Sequence, residues 1–162
     1  MIGYVAAIKA SQLGLTTTCV EMRGTLGGTC LNVGCIPSKA LLNVSHKYHD
    51  MVHSAKNFGI THDNLSFDWG KIMKQKEKSV GGLTQGVEGL LKKYKAEYKK
   101  GHGKITGPNS VEVTAMDGTK ETLSFKNILI ATGSEPTPFP GIPFDEKIFI
   151  SSTGKQNISA NL

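Results

Sequence analysis

"GYVAAIKASQLGLTTTCVE" occupies residues 3–21 and decides the fold class of this chain. Its first part, residues 3–15, has the composition of a helix that ends at Gly14. The following "TTTCVE" (16–21) predicts a short buried strand that closes with an acidic residue. A helix, a glycine turn, a strand and a terminal acid form the second half of a βαβ unit, so we predict an α/β fold. The side chains expected on the buried face of the helix are Val5, Ile8, Gln12 and Leu13.

The segment ahead of this helix is short. A complete unit of this kind has a strand and a glycine-rich turn before its helix, and that turn cradles the phosphates of a dinucleotide. Only Met1 and Ile2 precede Gly3 here. We therefore expect an incomplete Rossmann-like domain in which the first strand and the GxGxxG loop are missing.

Length and composition indicate a globular protein. The chain has 162 residues, of which 38% are hydrophobic and 20% charged, as is ordinary for a folded domain. No apolar run approaches the roughly 20 residues of a membrane span, and no basic-then-apolar leader indicates secretion. The three cysteines are odd in number and too few for a secreted disulfide framework, so an intracellular compartment is expected.

The middle of the chain predicts two more helices. Residues 39–55 carry apolar side chains at helical spacing, and a loop or edge segment follows them. Asp68 is expected to cap a long helix, although each interior glycine costs about 1 kcal/mol relative to alanine. The glycines in question are Gly81, Gly82, Gly86 and Gly89. The expected buried stripes are Leu41, Val44, Tyr48, Val52 and Ala55 in the first helix, and Trp69, Ile72, Met73, Val80, Leu83, Val87, Leu90, Leu91 and Tyr94 in the second.

Beyond Gly101 the hydrophobic period changes to two. "GKITG", "SVEVTA" and "KETLSF" alternate, with "MDGT" as a turn, and predict a small antiparallel β segment. "NILIATG" (127–133) is a continuous apolar run bounded by glycine and predicts a buried parallel strand. The proline-rich "EPTPFPGIPFDE" that follows is expected to be an extended connection, and residues 155–162 an unstructured tail.

A cluster of lysines supplies much of the net charge of +6. "KKYKAEYKK" (92–100) holds five lysines and one glutamate. The run could bind an anionic partner, with Tyr94 and Tyr98 as stacking residues, or it could be the solvated end of a helix, where cations suit the helix dipole. No glycine-rich phosphate loop or RNA motif accompanies it, so the solvated end is favoured and no nucleic-acid partner is expected.

"GGTCLNVGCIPSK" (27–39) places Cys30 and Cys35 five residues apart. Five residues of regular helix rise about 7.5 Å, whereas a disulfide needs Cα atoms roughly 4.4–6.8 Å apart, so a bonded pair requires a break in the helix. Gly34 permits such a break, and Pro37 suits the first turn of a new helix. Thiols at the positive end of a helix ionise and exchange readily, which favours a redox couple.

Metal binding is less favoured for this region. Structural zinc needs four ligands, and its paired cysteines are usually two to four residues apart. His46, His49 and His53 share one face of the following helix, but that face lies opposite the apolar stripe and is expected to contact water, so no metal is predicted. Cys19, in the middle of the first predicted strand, is expected to be a small core residue.

The stretch "LGGTCLNVGCIPSKALL" (26–42) resembles the redox-disulfide signature of the flavin-dependent pyridine nucleotide–disulfide oxidoreductases. Within that family its "CIPSK" is most similar to the dihydrolipoyl dehydrogenase branch. The resemblance extends from Gly3 to about Gly154, because Glu21, "GHGKITG" (101–107) and the region from "NILIATG" onward also fall where the family has flavin-binding elements. It implies an enzyme whose disulfide is reduced by protein-bound dihydrolipoyl groups and whose electrons pass through FAD to NAD⁺.

The resemblance also implies roles for individual residues. Cys30 would exchange with the substrate thiol, and Cys35 would lie next to the flavin. Lys39 would lie by the reactive nitrogen of the flavin, and Glu21 would accept hydrogen bonds from the adenosine ribose. The other residues expected to contact FAD are Gly3, Gly28, Thr29, Gly103, Thr132, Gly133 and Ser134.

Other features of the family have no counterpart in the sequence. Residues 1–154 are expected to form a partial FAD-binding domain, without the NAD, central and dimer-interface domains of the family. The chain is therefore expected to be inactive alone, whereas the complete enzyme would form a homodimer and act on lipoyl domains of 2-oxoacid dehydrogenase complexes in the mitochondrial matrix. The alternative is a non-catalytic remnant that binds a partner through its basic helix.

Overall fold

A computed structural model describes residues 2–154. The predicted tail at 155–162 lies outside the described residues. Among the described helices, none is both long enough and apolar enough to cross a membrane. The chain combines helices with a four-stranded sheet, which confirms the predicted α/β class. The elements are α1 (Ile2–Gln12), β1 (Thr18–Glu21), α2 (Gly28–Val33), α3 (Cys35–His53), a 3-10 helix (Ala55–Phe58), α4 (Trp69–Lys93), β2 (Glu97–Gly107), β3 (Ser110–Ala115) and β4 (Lys120–Ser124).

The chain divides into two compact units. Among the described residues, the first comprises those up to Asn32 together with Gly82–Ser134. The second comprises Val33–Gly81 and the described residues from Glu135 onward.

The first unit is built on a four-stranded sheet in the order β1-β2-β3-β4. The strands β2, β3 and β4 are antiparallel and confirm the predicted β segment beyond Gly101. In the turn between β3 and β4, the Thr119 N–H donates to Asp117 Oδ1 at 2.9 Å, and Gly118 takes a positive φ of 86°. The predicted "MDGT" turn therefore forms, because the aspartate side chain accepts a backbone hydrogen bond and the glycine adopts a positive φ.

The strand β2 begins at Glu97, earlier than predicted, and its first residues pair in parallel with β1. The prediction that the whole lysine run ends a helix was therefore wrong for residues 97–100. Pairing switches to the antiparallel partner β3 at Gly101, where an added Cβ would collide with the carbonyl oxygen of Thr114. A segment of lysines and tyrosines is compatible with a half-exposed strand and with the end of a helix. Composition alone therefore could not distinguish a strand from a helix end at these residues.

The core of the first unit lies between α1, the end of α4 and the sheet. Its buried side chains are Ala7, Leu26, Leu91 and Ala96. The predicted face of α1 was right at Ile8, which packs against this core, and wrong at Gln12, which is exposed, and at Val5 and Leu13, which are 53% and 68% exposed. The helix instead packs through Ala7 with its neighbours Tyr4 and Ile8, since a small side chain at the contact lets the helix approach the sheet closely.

The segment 127–133, predicted as a buried parallel strand, does not form one. Ile128, Leu129 and Ile130 are 45%, 60% and 69% exposed, and none of the described strands pairs with them. An apolar run specifies burial, but a strand also needs a neighbour that accepts and donates its backbone hydrogen bonds. Within the described part of the chain, no neighbour of this kind lies beside the segment.

The second unit contains α3, the 3-10 helix and the first part of α4. The helix α3 begins at Cys35, four residues earlier than the apolar periodicity predicts, and Pro37 is buried in its first turn. Ala55 is buried as predicted, but Tyr48 and Val52 are 37% and 44% exposed, so the expected stripe of α3 was wrong at its centre. Tyr48 packs edge-on against Phe67 at a centroid distance of 5.6 Å.

The long helix α4 is continuous through all four interior glycines. Asp68 caps it as predicted, because its Oδ1 accepts the backbone N–H of Lys71 at 3.0 Å. Leu91 of the predicted stripe is buried, whereas Leu83 and Leu90 are 48% and 42% exposed. The prediction of the stripe was therefore wrong at those two leucines.

Candidate functional site

The two cysteines of "GGTCLNVGCIPSK" are disulfide-bonded. Cys30 is the third residue of α2 and Cys35 the first residue of α3, with Gly34 between the two helices. The chain has three cysteines, and because Cys19 is free, Cys30 and Cys35 must be bonded to each other. The predicted disulfide and the predicted helix break are both confirmed.

The helix α3 provides the setting of Cys35. The Ser38 N–H donates to the Gly34 carbonyl at 3.1 Å and closes the first turn, so Cys35 lies where the positive end of a 19-residue helix dipole begins. A thiolate released at Cys35 is stabilised there. Lys39 is exposed one turn further along α3, at the i+4 position that shares a face with Cys35.

The glycine pair ahead of Cys30 allows α2 to start abruptly. Gly27 and Gly28 have φ values of 116° and 67°, a region that side chains disfavour. An added Cβ at Gly27 would overlap Leu31, with 2.7 Å to the Leu31 Cβ. Gly28 was predicted from the sequence as a site residue and Gly27 was not, although the doubled glycine marks both positions.

A chain of hydrogen bonds links the end of β1 with α2. Glu21 ends β1, and its Oε1 accepts the backbone N–H of Arg23 at 2.9 Å. The Arg23 Nη1 donates to Thr29 Oγ1 at 3.3 Å, and that hydroxyl lies 3.5 Å from the Ser134 carbonyl. The structure therefore brings together Glu21, Thr29 and Ser134, and adds Arg23, which was not predicted from the sequence.

The remaining predicted positions of the first unit lie beside this chain of contacts. A Cβ at Gly103 would contact Val20, the neighbour of Glu21, at 3.4 Å. Gly3 packs in the same way against Ala131, next to Thr132. Gly133 takes a φ of 80° that suits glycine. Of the predicted site residues, Cys35 and Lys39 belong to the second unit.

Cys19 is the third cysteine and packs against the core of the first unit, as predicted. Burial and, to a smaller extent, the negative charge of Glu21 raise the pKa of the Cys19 thiol. A raised pKa lowers the fraction of thiolate, the reactive form, so burial and charge both disfavour Cys19 in disulfide exchange.

The lysines of the basic run are partly neutralised. Lys99 lies between Glu97 and Glu121 at 3.1 and 3.0 Å, and these carboxylates raise its pKa. Lys100 lies 3.9 Å from Glu88 and within 5.2 Å of the Tyr98 ring centroid. These contacts do not favour a free cationic surface for an acidic partner.

The chain matches the family model described as pyridine nucleotide-disulphide oxidoreductase over residues 2–160. It is 59% identical over 152 residues to a dihydrolipoyl dehydrogenase, mitochondrial, of Dictyostelium discoideum, covering 94% of this chain and 31% of that protein. A dihydrolipoamide dehydrogenase of Chaetomium thermophilum is also 59% identical, with 94% and 30% covered. The chain thus spans about a third of the length of these relatives.

A likeness to a solved structure supports the fold. The crystal structure of LpdA from Mycobacterium tuberculosis superimposes with a TM-score of 0.86 over 98% of this chain and 35% of that protein, at 18% sequence identity. The elements described above therefore have counterparts in a known architecture.

Proposed function

Because this chain belongs to the pyridine nucleotide–disulphide oxidoreductase family, we propose that it supplies the redox disulfide and part of the FAD site of a dihydrolipoyl dehydrogenase. The observation that carries the proposal is the Cys30–Cys35 disulfide between α2 and α3, within a chain 59% identical to dihydrolipoyl dehydrogenases. The whole activity, with NAD⁺ as the final acceptor, is proposed for the complete enzyme.

The disulfide would act by thiol exchange. One thiolate of a dihydrolipoyl group attacks Cys30 Sγ, the Cys30–Cys35 bond breaks, and the electron pair leaves on Cys35 at the positive end of α3. The second lipoyl sulfur then attacks its partner sulfur in the mixed disulfide and releases Cys30. The lipoyl group ends as a disulfide, and both cysteines end reduced.

The residues of the first unit fit an FAD molecule in this role. Among the described residues no hydrogen bond to the second carboxylate oxygen of Glu21 is found, so it is available to a ribose hydroxyl. Gly103 presents backbone beside the end of β1, which allows close approach of an adenine ring. Gly3, Gly28, Thr29, Thr132, Gly133 and Ser134 would hold the rest of the cofactor, with Lys39 near the flavin ring. When bound, FAD supplies the two-electron acceptor that restores the disulfide.

The chain by itself is proposed to hold FAD poorly and to lack turnover. β1 is an edge strand of the sheet, and residues 127–133 have no strand partner in the described part of the chain. Thr132 and Gly133 are therefore exposed rather than fixed at a strand end. We propose a homodimer partner and lipoyl domains of 2-oxoacid dehydrogenase complexes as partners of the complete enzyme, and the mitochondrial matrix as its location, because the Dictyostelium relative is named mitochondrial.

A chimera tests the proposed function. The matched segment of the Dictyostelium enzyme is replaced by residues 3–154 of this chain, and bound flavin and dihydrolipoamide oxidation are measured. We expect retained flavin and turnover in the chimera. Absence of both in a folded chimera would contradict the proposal.

Two single substitutions separate chemistry from structure. Cys30→Ser and Cys35→Ser in the chimera should each abolish turnover while the flavin absorbance stays, because two sulfurs are needed for exchange and neither is needed to hold FAD. Loss of flavin in both variants would make the disulfide structural. The unmodified chain, incubated with FAD and freed of unbound flavin, should be colourless.

A further inference from the structure

Arg23 is the one arginine among the 19 lysine and arginine residues of the chain. It follows the end of β1, where its backbone N–H donates to Glu21 Oε1 at 2.9 Å. The side chain is half-buried, and its Nη1 donates to Thr29 Oγ1 at 3.3 Å. The guanidinium therefore reaches from the end of β1 to the start of α2, where the redox cysteine Cys30 follows Thr29.

The neighbours of this guanidinium are residues that the proposed function assigns to FAD. Glu21 is proposed to hold the adenosine ribose, and Thr29 and Ser134 the part of the cofactor beyond it. Thr29 also links the two sides of this region, because its hydroxyl donates to the Ser134 carbonyl at 3.5 Å. In FAD the diphosphate is bonded directly to the adenosine ribose. A cation between Glu21 and Thr29 would therefore lie beside the negatively charged part of the cofactor.

We propose that Arg23 binds the diphosphate of FAD, an inference that rests on the proposed function and adds a cationic ligand to it. A guanidinium presents its N–H donors in a planar fork that matches two phosphate oxygens. The contacts of 3.3 and 3.5 Å at Thr29 are longer than the roughly 2.7–3.0 Å typical of protein hydrogen bonds. Arg23 and Thr29 can therefore exchange these contacts for phosphate oxygens at little cost.

Two lysines of β2 also lie near the end of β1, but their charges are engaged elsewhere. Lys99 and Lys100 are in register with Val20 and Glu21. Lys99 lies 3.1 and 3.0 Å from the carboxylates of Glu97 and Glu121, and Lys100 lies 3.9 Å from that of Glu88. Arg23, in contrast, contacts a residue that is predicted to hold the cofactor. This difference favours Arg23 as the residue that compensates the charge of the diphosphate.

Titration of the flavin-free chimera with FAD, followed by flavin fluorescence, tests this role. Arg23→Gln should weaken FAD binding about tenfold or more, because a charged hydrogen bond to phosphate is lost. Its affinity should also vary less with ionic strength than that of the unsubstituted chimera. Arg23→Lys keeps the charge and should restore part of the affinity. Lys9→Gln removes the same charge from an exposed residue of α1 and should bind FAD as the unsubstituted chimera does.

Calorimetry with ADP and with adenosine locates the contact on the cofactor. Arg23→Gln should weaken ADP binding and leave adenosine binding and the melting temperature of the flavin-free chimera unchanged. Equal losses for ADP and adenosine, or a loss of FAD affinity that Lys9→Gln shares, would overturn the assignment to the diphosphate. An unsubstituted chimera that binds no FAD would contradict the proposed function, whereas unchanged FAD affinity of Arg23→Gln in a flavin-binding chimera would contradict only the role of Arg23.

Discussion

Replacement of Gly27 by alanine should destabilise the chain strongly. The backbone of Gly27 adopts a positive φ that other residues disfavour, and there is no room beside it for a side chain. Its φ of 116° costs a non-glycine residue on the order of 1–3 kcal/mol. The added Cβ would also overlap the side chain of Leu31, which is only 8% exposed, and overpacking of this kind costs about 1–3 kcal/mol. The expected loss is therefore about 2–6 kcal/mol, a large part of the roughly 5–15 kcal/mol that stabilises a domain.

Gly86→Ala is the matched control. Gly86 lies inside α4, and an added Cβ would meet no atom within 4 Å. Alanine is about 1 kcal/mol more favourable than glycine in a helix interior, so this variant should be slightly stabilised. The pair separates a glycine that the fold requires from one that it merely tolerates.

Urea unfolding followed by far-UV circular dichroism measures both variants. With a slope of about 1–3 kcal/mol per molar urea, the Gly27→Ala midpoint should fall by about 1 M or more, while that of Gly86→Ala should rise. A Gly27→Ala midpoint within error of the unmodified chain would refute the argument from φ and from the overlap with Leu31.

Three further predictions concern a helix cap and two titratable groups. Asp68→Ala should lower the melting temperature by a few degrees because the Lys71 N–H loses its acceptor, whereas Asp68→Asn, which can still accept, should melt close to the unmodified chain. Burial, followed by the charges of Glu88, Glu21 and Cys19, raises the pKa of Tyr98 to about 12, above its usual value of 10. The contribution of the raised Tyr98 pKa to the free energy of unfolding is thus complete below pH 10 and lost between pH 10 and 12. The unfolding midpoint of Tyr98→Phe should therefore change less with pH across that interval than the midpoint of the unmodified chain. Iodoacetamide should modify Cys19 more slowly than an unfolded-state thiol at pH 8, because its raised pKa keeps it protonated; equal rates in the folded and urea-unfolded chain would contradict this.

The cysteine region was predictable because its residues act locally. Gly34 and Pro37 determine where one helix stops and the next starts, and neither needs a distant partner to do so. The cap at Asp68 and the turn at Asp117 are local in the same sense. Periodicity and turn chemistry therefore predicted the existence and the order of most elements.

The errors concern properties that depend on tertiary partners. The face of α1 is determined by the close approach that Ala7 permits, and the spacing of large apolar side chains does not report that contact. The segment 127–133 has the apolar run of a strand, but the described chain gives it no neighbour to complete its hydrogen bonds. Arg23 connects Glu21 with Thr29 through contacts that only the folded chain reveals.

Reduction of the Cys30–Cys35 disulfide by dihydrolipoyl thiols, through attack on Cys30, can be tested on the chain itself. The oxidised chain is mixed with dihydrolipoamide and quenched in acid at intervals. The free thiols are then alkylated, and both the alkylated cysteines and the intact mixed disulfides are mapped by mass spectrometry. We expect one lipoamide formed per chain reduced, a transient adduct on Cys30, and final alkylation of Cys30 and Cys35. An adduct on Cys35, or a disulfide that excess dihydrolipoamide leaves intact, would contradict it.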